Sequence, residues 1–447
     1  MDISIIKTLD EHYENIDLFI SNVCMTTNIK NVCINHNVIN NNNHIFTKEI
    51  HSMKIIDQKR TGTCWICSGI TVCRNILRKN LKTKDDFNLS INHFMFWDKL
   101  EKANHFMDFI IKNYNSNVKL SKIQEKVEEP ISDGGYWYMF VDLVNKYGII
   151  PDDINTRKYN ATNTNIINEL ISYKLKEFVL KVYNDNTNND KLKLEYLGII
   201  KKILTLMFGE PYYPDTEFSW TYKNKDDKKI ILNNINPIFF YEKYLKLNLN
   251  NFVTICNDPR PKNIYYKTYT KENIYGYMLN NNDKSKYSQL NLPNEEIQKL
   301  IIKQIDSGVP VWFSCDVTKH TNNENNIMDL NLYDIDTPFN MDFTTLTKAQ
   351  ELECSISKPC HAMTITGYDT NNTKKRKKDI EITKFKVENS WGSYGSHEGI
   401  YSMTVHWMNK YCYEFVINID YLNPQQKKLL KEQPQILDDN DPMCSQI

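Results

Sequence analysis

The sequence predicts an α+β protein in two lobes, with helices first and strands later. Three observations carry this. Ile66, Ile70, Cys73 and Leu77 recur at steps of four, three and four in a Pro-free stretch, which predicts a helix over 65–80. A second helical pattern runs from Trp137 to Tyr147 and stops at Gly148 and Pro151. From Val309 onward the pattern turns β-like, in the runs 309–316, 362–368, 384–389, 399–405 and 413–419.

Around these elements the chain reads as one unit with an N-terminal segment and three further stretches. Residues 1–50 hold a short amphipathic segment (Leu9, Tyr13, Ile16, Phe19) and Asn-rich loop, and residues 45–152 form the helical lobe. Residues 153–304 are polar, rich in Tyr and Asn, and helical in patches. Residues 305–447 form the β lobe. No repeat of solenoid period is visible.

Composition excludes several classes. The 447 residues are 41% hydrophobic and 12% aromatic, enough for a sizeable core and too many for a disordered chain. Lys+Arg and Asp+Glu both total 55, so bulk charge gives no grip on nucleic acid or an anionic membrane. No apolar run reaches the roughly 18 residues of a membrane-spanning helix. The opening Met1-Asp-Ile-Ser-Ile-Ile-Lys7 lacks the apolar core of an export signal. The expected setting is therefore cytoplasmic, with the 11 Cys as thiols. The frequent Asn runs read as polar loops.

The chemistry concentrates at Gln58-Lys-Arg-Thr-Gly-Thr-Cys64-Trp65. Gly62 permits a tight turn, and Cys64 falls at the first turn of the helix. The positive end of the helix dipole is expected to lower its pKa and supply a thiolate nucleophile. Cys64-x-x-Cys67 also fits a redox pair or, with Cys360-His361, a zinc site. The flanks lack the βαβ context of the first, and no second C-x-x-C supports the other.

His361 and Asn389 complete the pattern. His361 opens one expected strand and Asn389 closes the next, with the basic run Lys374–Lys378 between them as a solvated hairpin tip. A hairpin centred there sets His361 opposite Asn389. The amide oxygen then accepts one imidazole N–H and leaves the other nitrogen for a thiol.

Gln58-x5-Cys64-Trp65, His361-Ala and Asn389-Ser-Trp-Gly392 resemble the papain-like cysteine peptidases in order and spacing. The closer resemblance is to the bleomycin hydrolase family of intracellular cysteine aminopeptidases. It extends over Asp133-Gly-Gly-x-Trp137, Phe218-Ser-Trp220, Cys256-Asn-Asp-Pro-Arg-Pro261, Val311-Trp-Phe-x-Cys-Asp-Val317 and Asp441-Pro-Met443. It covers residues from about 45 to the C-terminus.

The resemblance implies a papain-like two-lobed fold with insertions, those in 153–304 serving assembly into a homohexamer. Cys64 is then the nucleophile, His361 its acid/base partner, Asn389 the residue orienting His361, and Gln58 an oxyanion-hole donor beside the Cys64 N–H. Trp391 is expected to cover the Asn389–His361 bond. Gly134 and Gly135 are expected to offer backbone to a peptide substrate, and the Ile447 carboxylate to meet its α-ammonium. No cofactor or metal is expected. A catalytically silent homologue or a nucleic-acid-binding scaffold is the alternative; the intact Cys/His/Asn set and zero net charge weigh against these. Cys67 departs from the family's usual bulky aromatic.

Overall fold

The structure is a computed structural model that describes residue 5 and residues 17–184, 188–271, 287–371, 381–438 and 440–445. Leu9, Tyr13 and Ile16 of the expected amphipathic segment, and the Lys374–Lys378 run, lie outside the described residues. Phe19 sits in the helix Leu18–Thr26, which buries no residue.

The principal helices are α1 (Cys64–Leu81), α2 (Ile91–Asn115), α3 (Trp137–Tyr147), α4 (Asn165–Asn184), α5 (Asn189–Phe208) and α6 (Asn294–Asp306). Helix α1 begins one residue before the expected span and ends one after it. Every residue from Cys64 to Leu77 is buried, as in a helix enclosed on all sides. Gly69 permits this: a Cβ there would lie 2.6 Å from the Phe140 ring on α3. Helix α3 has the expected bounds. It stops at Gly148, whose φ of +70° suits glycine and whose Cβ would lie 2.2 Å from the Pro237 carbonyl carbon.

The strands begin with β1 (Lys48–Glu49), β2 (Phe218–Lys223), β3 (Lys229–Ile235), β4 (Phe252–Cys256), β5 (Thr268–Lys271) and β6 (Gln289–Asn291). They continue with β7 (Val311–Cys315), β8 (Thr321–Asn322), β9 (Ile327–Met328), β10 (His361–Thr370) and β11 (Ile382–Glu388). The last are β12 (Ile400–Thr404), β13 (Cys412–Asn418) and β14 (Gln435–Leu437). Among the described residues β2 and β3 form a separate hairpin. The others form one sheet ordered β14-β5-β6-β4-β13-β7-β10-β11-β12-β9-β8, with β1 beside β10. The fold is α+β, as the sequence predicts. The order is less simple than helices first, because β2 to β6 interrupt the middle of the chain.

Among the described residues two large apolar cores result, with a small third cluster of Cys256, Leu352, Tyr413 and Met443. One is built on α1 to α5 and includes Trp220 and Phe252. The other lies on the sheet and α6, drawing on Ile255, Phe313, Ile365, Val387 and Phe415. They meet along α1, where the Trp312 indole on β7 donates to the Trp65 carbonyl at 3.1 Å and Thr364 Oγ1 on β10 donates to Ser68 O at 3.4 Å. Deeper in the seam, Arg74 of α1 and Glu388 of β11 form a buried ion pair at 3.6 Å.

Candidate active site

Cys64 stands at the first position of α1. Thr63 before it has φ −96° and ψ 24° and makes no side-chain cap, so the first-turn N–H groups are left for other partners. The Cys64 sulfur is buried, and the backbone N–H groups of Ala362 and Trp65 act on it in the sense that favours a thiolate. Ala362 follows His361 directly, so the thiol lies near the start of β10.

His361 opens β10, paired with Cys315 on β7. Its Nε2 lies 2.8 Å from Asn389 Oδ1. The same Oδ1 accepts the Ser390 N–H at 2.7 Å, which identifies it as the amide oxygen, so Nε2 carries the proton and Nδ1 is the free acceptor. The hairpin is offset from the simple midpoint reading. Thr364 pairs with Glu388, so continuing the register sets Asn389 opposite Met363, and the side chains span the remaining distance to His361. The Trp391 ring lies against His361 with centroids 4.9 Å apart and planes tilted by 35°.

The electrostatics reverse one expectation. Burial pushes the Cys64 thiol up to about 12, outweighing the N–H bonds that favour the thiolate. Burial likewise pushes His361 down to about 4 against the opposing effect of Asn389. The helix dipole therefore does not supply a free thiolate. Burial thus acts against both charged forms, the thiolate and the imidazolium.

Gln58 is buried and tied to both sides of the cleft. Its Nε2 donates to Thr61 O at 2.6 Å, and its Oε1 accepts from Ser390 Oγ at 2.5 Å. Ser390 thus links Gln58 to Asn389, a role not read from the sequence although Ser390 lies inside the Asn389–Gly392 motif.

Gly134 and Gly135 lie beside α1 and α2. Gly134 O accepts from Lys102 Nζ at 2.7 Å, and a Cβ on Gly135 would lie 2.4 Å from the Trp65 indole. Only a bare backbone fits there. Next in the chain, the Tyr136 hydroxyl donates to the carbonyl of Cys444 at 2.8 Å, and Lys271 Nζ donates to the same oxygen at 2.9 Å. The C-terminal turn Pro442–Cys444 is thereby held one residue from the Gly-Gly segment. Ile447 lies outside the described residues.

That turn has a second anchor. The Arg260 guanidinium bridges Asp258 Oδ2 and Asp441 Oδ1, each at 2.6 Å, with all three side chains buried. Asp441 also accepts the Met443 N–H at 3.0 Å. Sequence reasoning noted both motifs and assigned neither a task.

Among the described residues no three His, Cys, Asp or Glu side chains converge as metal ligands. Cys64 and Cys67 are separate free thiols, and Cys360 Sγ turns to Asp316 Oδ1 at 3.6 Å. Cys67 is buried and fills the place behind the nucleophile with a small side chain. No helix among the described residues is long and apolar enough to cross a membrane.

Residues 3–444 match the model of the Peptidase C1-like family. This chain belongs to the Peptidase C1-like family. Its relatives include bleomycin hydrolase of Homo sapiens, 30% identical over 434 residues, covering 94% of this chain and 93% of that protein. Aminopeptidase C of Lactobacillus helveticus is 31% identical over 391 residues, covering 87% of this chain and 84% of that protein. Among solved structures, PepW from Lactobacillus rhamnosis HN001 superimposes with a TM-score of 0.92 at 28% identity, covering 100% of this chain and 99% of that one. The fold is that of a papain-like peptidase, and the chain is a cysteine peptidase.

Proposed function

We propose that Cys64, His361 and Asn389 perform the chemistry of this cysteine aminopeptidase. His361 Nδ1 takes the Cys64 proton as Sγ attacks the substrate carbonyl, so charge appears only when the reaction creates it. The carbonyl oxygen becomes an oxyanion, facing donors from the Cys64 backbone N–H and the Gln58 amide. Such a donor is typically worth about 3 kcal/mol in the transition state. The oxyanion collapses, the amine leaves with the proton from His361, and a thioester remains on Cys64. Water activated by His361 then releases the acid and restores the thiol. Asn389 keeps the His361 tautomer, and Trp391 shields that hydrogen bond. The single observation behind this reading is the hydrogen bond that holds His361 Nε2 to Asn389, with Ala362 next to His361 acting on the Cys64 sulfur. The test is covalent: an epoxysuccinyl thiol inhibitor is expected to add its mass at Cys64 alone. Labelling of Cys67 instead would overturn the assignment.

The substrate is a peptide whose backbone lies along Gly134 and Gly135. Cleavage close to a free N-terminus follows if the Ile447 carboxylate pairs with the substrate α-ammonium. The grip of Tyr136 and Lys271 on the Cys444 carbonyl supports that placement. The assembly is a homohexamer and the setting cytoplasmic. Exposed Tyr173, Leu180, Leu194 and Leu206 on α4 and α5 offer apolar surface for subunit contacts. Light scattering should then report six chains of 52.9 kDa, about 317 kDa. A stable active monomer excludes the assembly.

A further inference from the structure

Asp133 is a partly buried anion in contact with the nucleophile loop that the chemistry above leaves unused. Its Oδ2 accepts the Gly62 N–H at 3.1 Å and the Thr164 hydroxyl. Its Oδ1 accepts Asn168 Nδ2 at 2.9 Å and pairs with the Lys99 ammonium. One carboxylate therefore joins the loop before Cys64, helix α2 and the start of α4. Desolvation works against its charge, yet Lys99 and the hydrogen-bonding side chains of Thr164 and Asn168 hold its carboxyl well below the usual carboxylate range.

The bond to Gly62 has a particular geometry. The Gly62 N–H and the Thr61 C=O belong to one peptide plane. The oxygen of that plane accepts the Gln58 amide at 2.6 Å, and its N–H donates to Asp133 at 3.1 Å. The plane is pinned at both ends, by the side chain that serves as oxyanion donor and by Asp133. There is no slack between them, because a Cβ on Gly62 would sit 2.8 Å from the Asp133 Cβ. On its far side the Asp133 carbonyl accepts the Trp65 indole N–H at 2.8 Å, which fastens the residue after the nucleophile to the same anchor.

We infer that Asp133 is a positioning residue for the oxyanion hole: through the Thr61–Gly62 peptide it sets the direction of the Gln58 amide and of the Cys64 backbone N–H. This rests on the reading of Gln58 and Cys64 as oxyanion donors. Asp133 touches neither the thiol nor the imidazole in any described bond, so its loss should spare nucleophilicity and damage stabilisation of the tetrahedral intermediate.

Asp133→Asn tests this. The Lys99 charge draws the new amide oxygen, which leaves the amide NH2 facing the Gly62 N–H, donor against donor. Two rates are compared on the folded protein. Alkylation of Cys64 by iodoacetamide needs no oxyanion hole, whereas reversible binding of a peptide aldehyde forms a tetrahedral adduct that does. Asp133→Asn is expected to lower kcat about 10- to 100-fold, with KM moving less than about 3-fold. Aldehyde affinity should fall in parallel with kcat/KM, and alkylation should stay within about 3-fold of wild type. If alkylation falls as far as kcat, or aldehyde affinity is unchanged, the inference is overturned. If Asp133→Asn does not fold, Thr164→Val removes one anchor without stranding Lys99, and the same fall in aldehyde binding relative to alkylation is expected. An unchanged ratio there also overturns it. Gln58→Ala separates the two layers. If it leaves aldehyde binding intact, the oxyanion reading itself fails. If it weakens aldehyde binding while Asp133→Asn does not, the positioning role alone fails.

Discussion

The surroundings of Cys64 and of Cys444 hold their groups by opposite means. Cys64 begins an 18-residue helix buried throughout its first half, and burial acts against charge on both its thiol and the neighbouring imidazole. Cys444 ends a three-residue turn held by charge, through Arg260 with its two carboxylates and Lys271 on the chain's own carbonyl. A long helix removes enough apolar surface from water to fix its first residue by packing. A three-residue turn buries little, so charge-assisted hydrogen bonds add to the packing of Met443 against Cys256, Leu352 and Tyr413. The start of the helix thus rests on burial, and the C-terminal turn rests on a small apolar contact reinforced by charge.

The sharpest test of the packed side is Cys64→Ala. It should lower turnover of aminoacyl fluorogenic substrates by at least about 10⁴-fold, while Cys67→Ala keeps most activity. Comparable losses in both variants would mean that the helix, rather than one thiol, carries the effect. The charged side is tested by Arg260→Met, which strands Asp258 and Asp441 in the interior and should cost about 3–5 kcal/mol in urea unfolding. The same variant, and deletion of residues 444–447, should let N-acetylated peptides be cut. A preference for free N-termini that survives both changes would separate the turn from specificity.

Acid should affect the packed side in a defined direction. His361 has a folded pKa lowered to about 4 by burial, against about 6.5 when unfolded. A lowered histidine favours folding fully above the unfolded value, and that contribution is lost as pH falls through the folded one. Between about pH 6.5 and 4 it is worth about 3 kcal/mol. His361→Gln should flatten urea midpoints over that window. An unchanged slope assigns acid sensitivity to other groups, such as His93, which burial also pushes down to about 4. The smallest expected change is Asn389→Ala, about 10²-fold in kcat with KM nearly unmoved, read from steady-state kinetics. A KM effect of that size would mean Asn389 contacts substrate instead.

The same contrast governs what the sequence disclosed. Helices α1 and α3 were legible because their apolar spacing and terminating residues are local. The approach of His361 to Asn389 was legible because a hairpin brings them together, although its register sits two residues off the midpoint expectation. Strands β5 and β6 were missed, since three or four residues leave little periodicity. The Arg260–Asp441 bridge joins positions 181 apart in sequence, and no local pattern announces it. The direction of the Cys64 pKa was misread for a related reason: the dipole is a property of one helix, whereas burial is a property of everything packed around it.

The Arg74–Glu388 pair has a mechanical consequence. It crosses the seam between the nucleophile helix and the strand that leads to Asn389, and each side chain is only 2% exposed. Prising the lobes apart would strip two opposite charges of each other before water could reach them, a loss of several kcal/mol. The enzyme is therefore no clamshell. Separation of the two cores at this point is opposed by the charge each partner would leave behind.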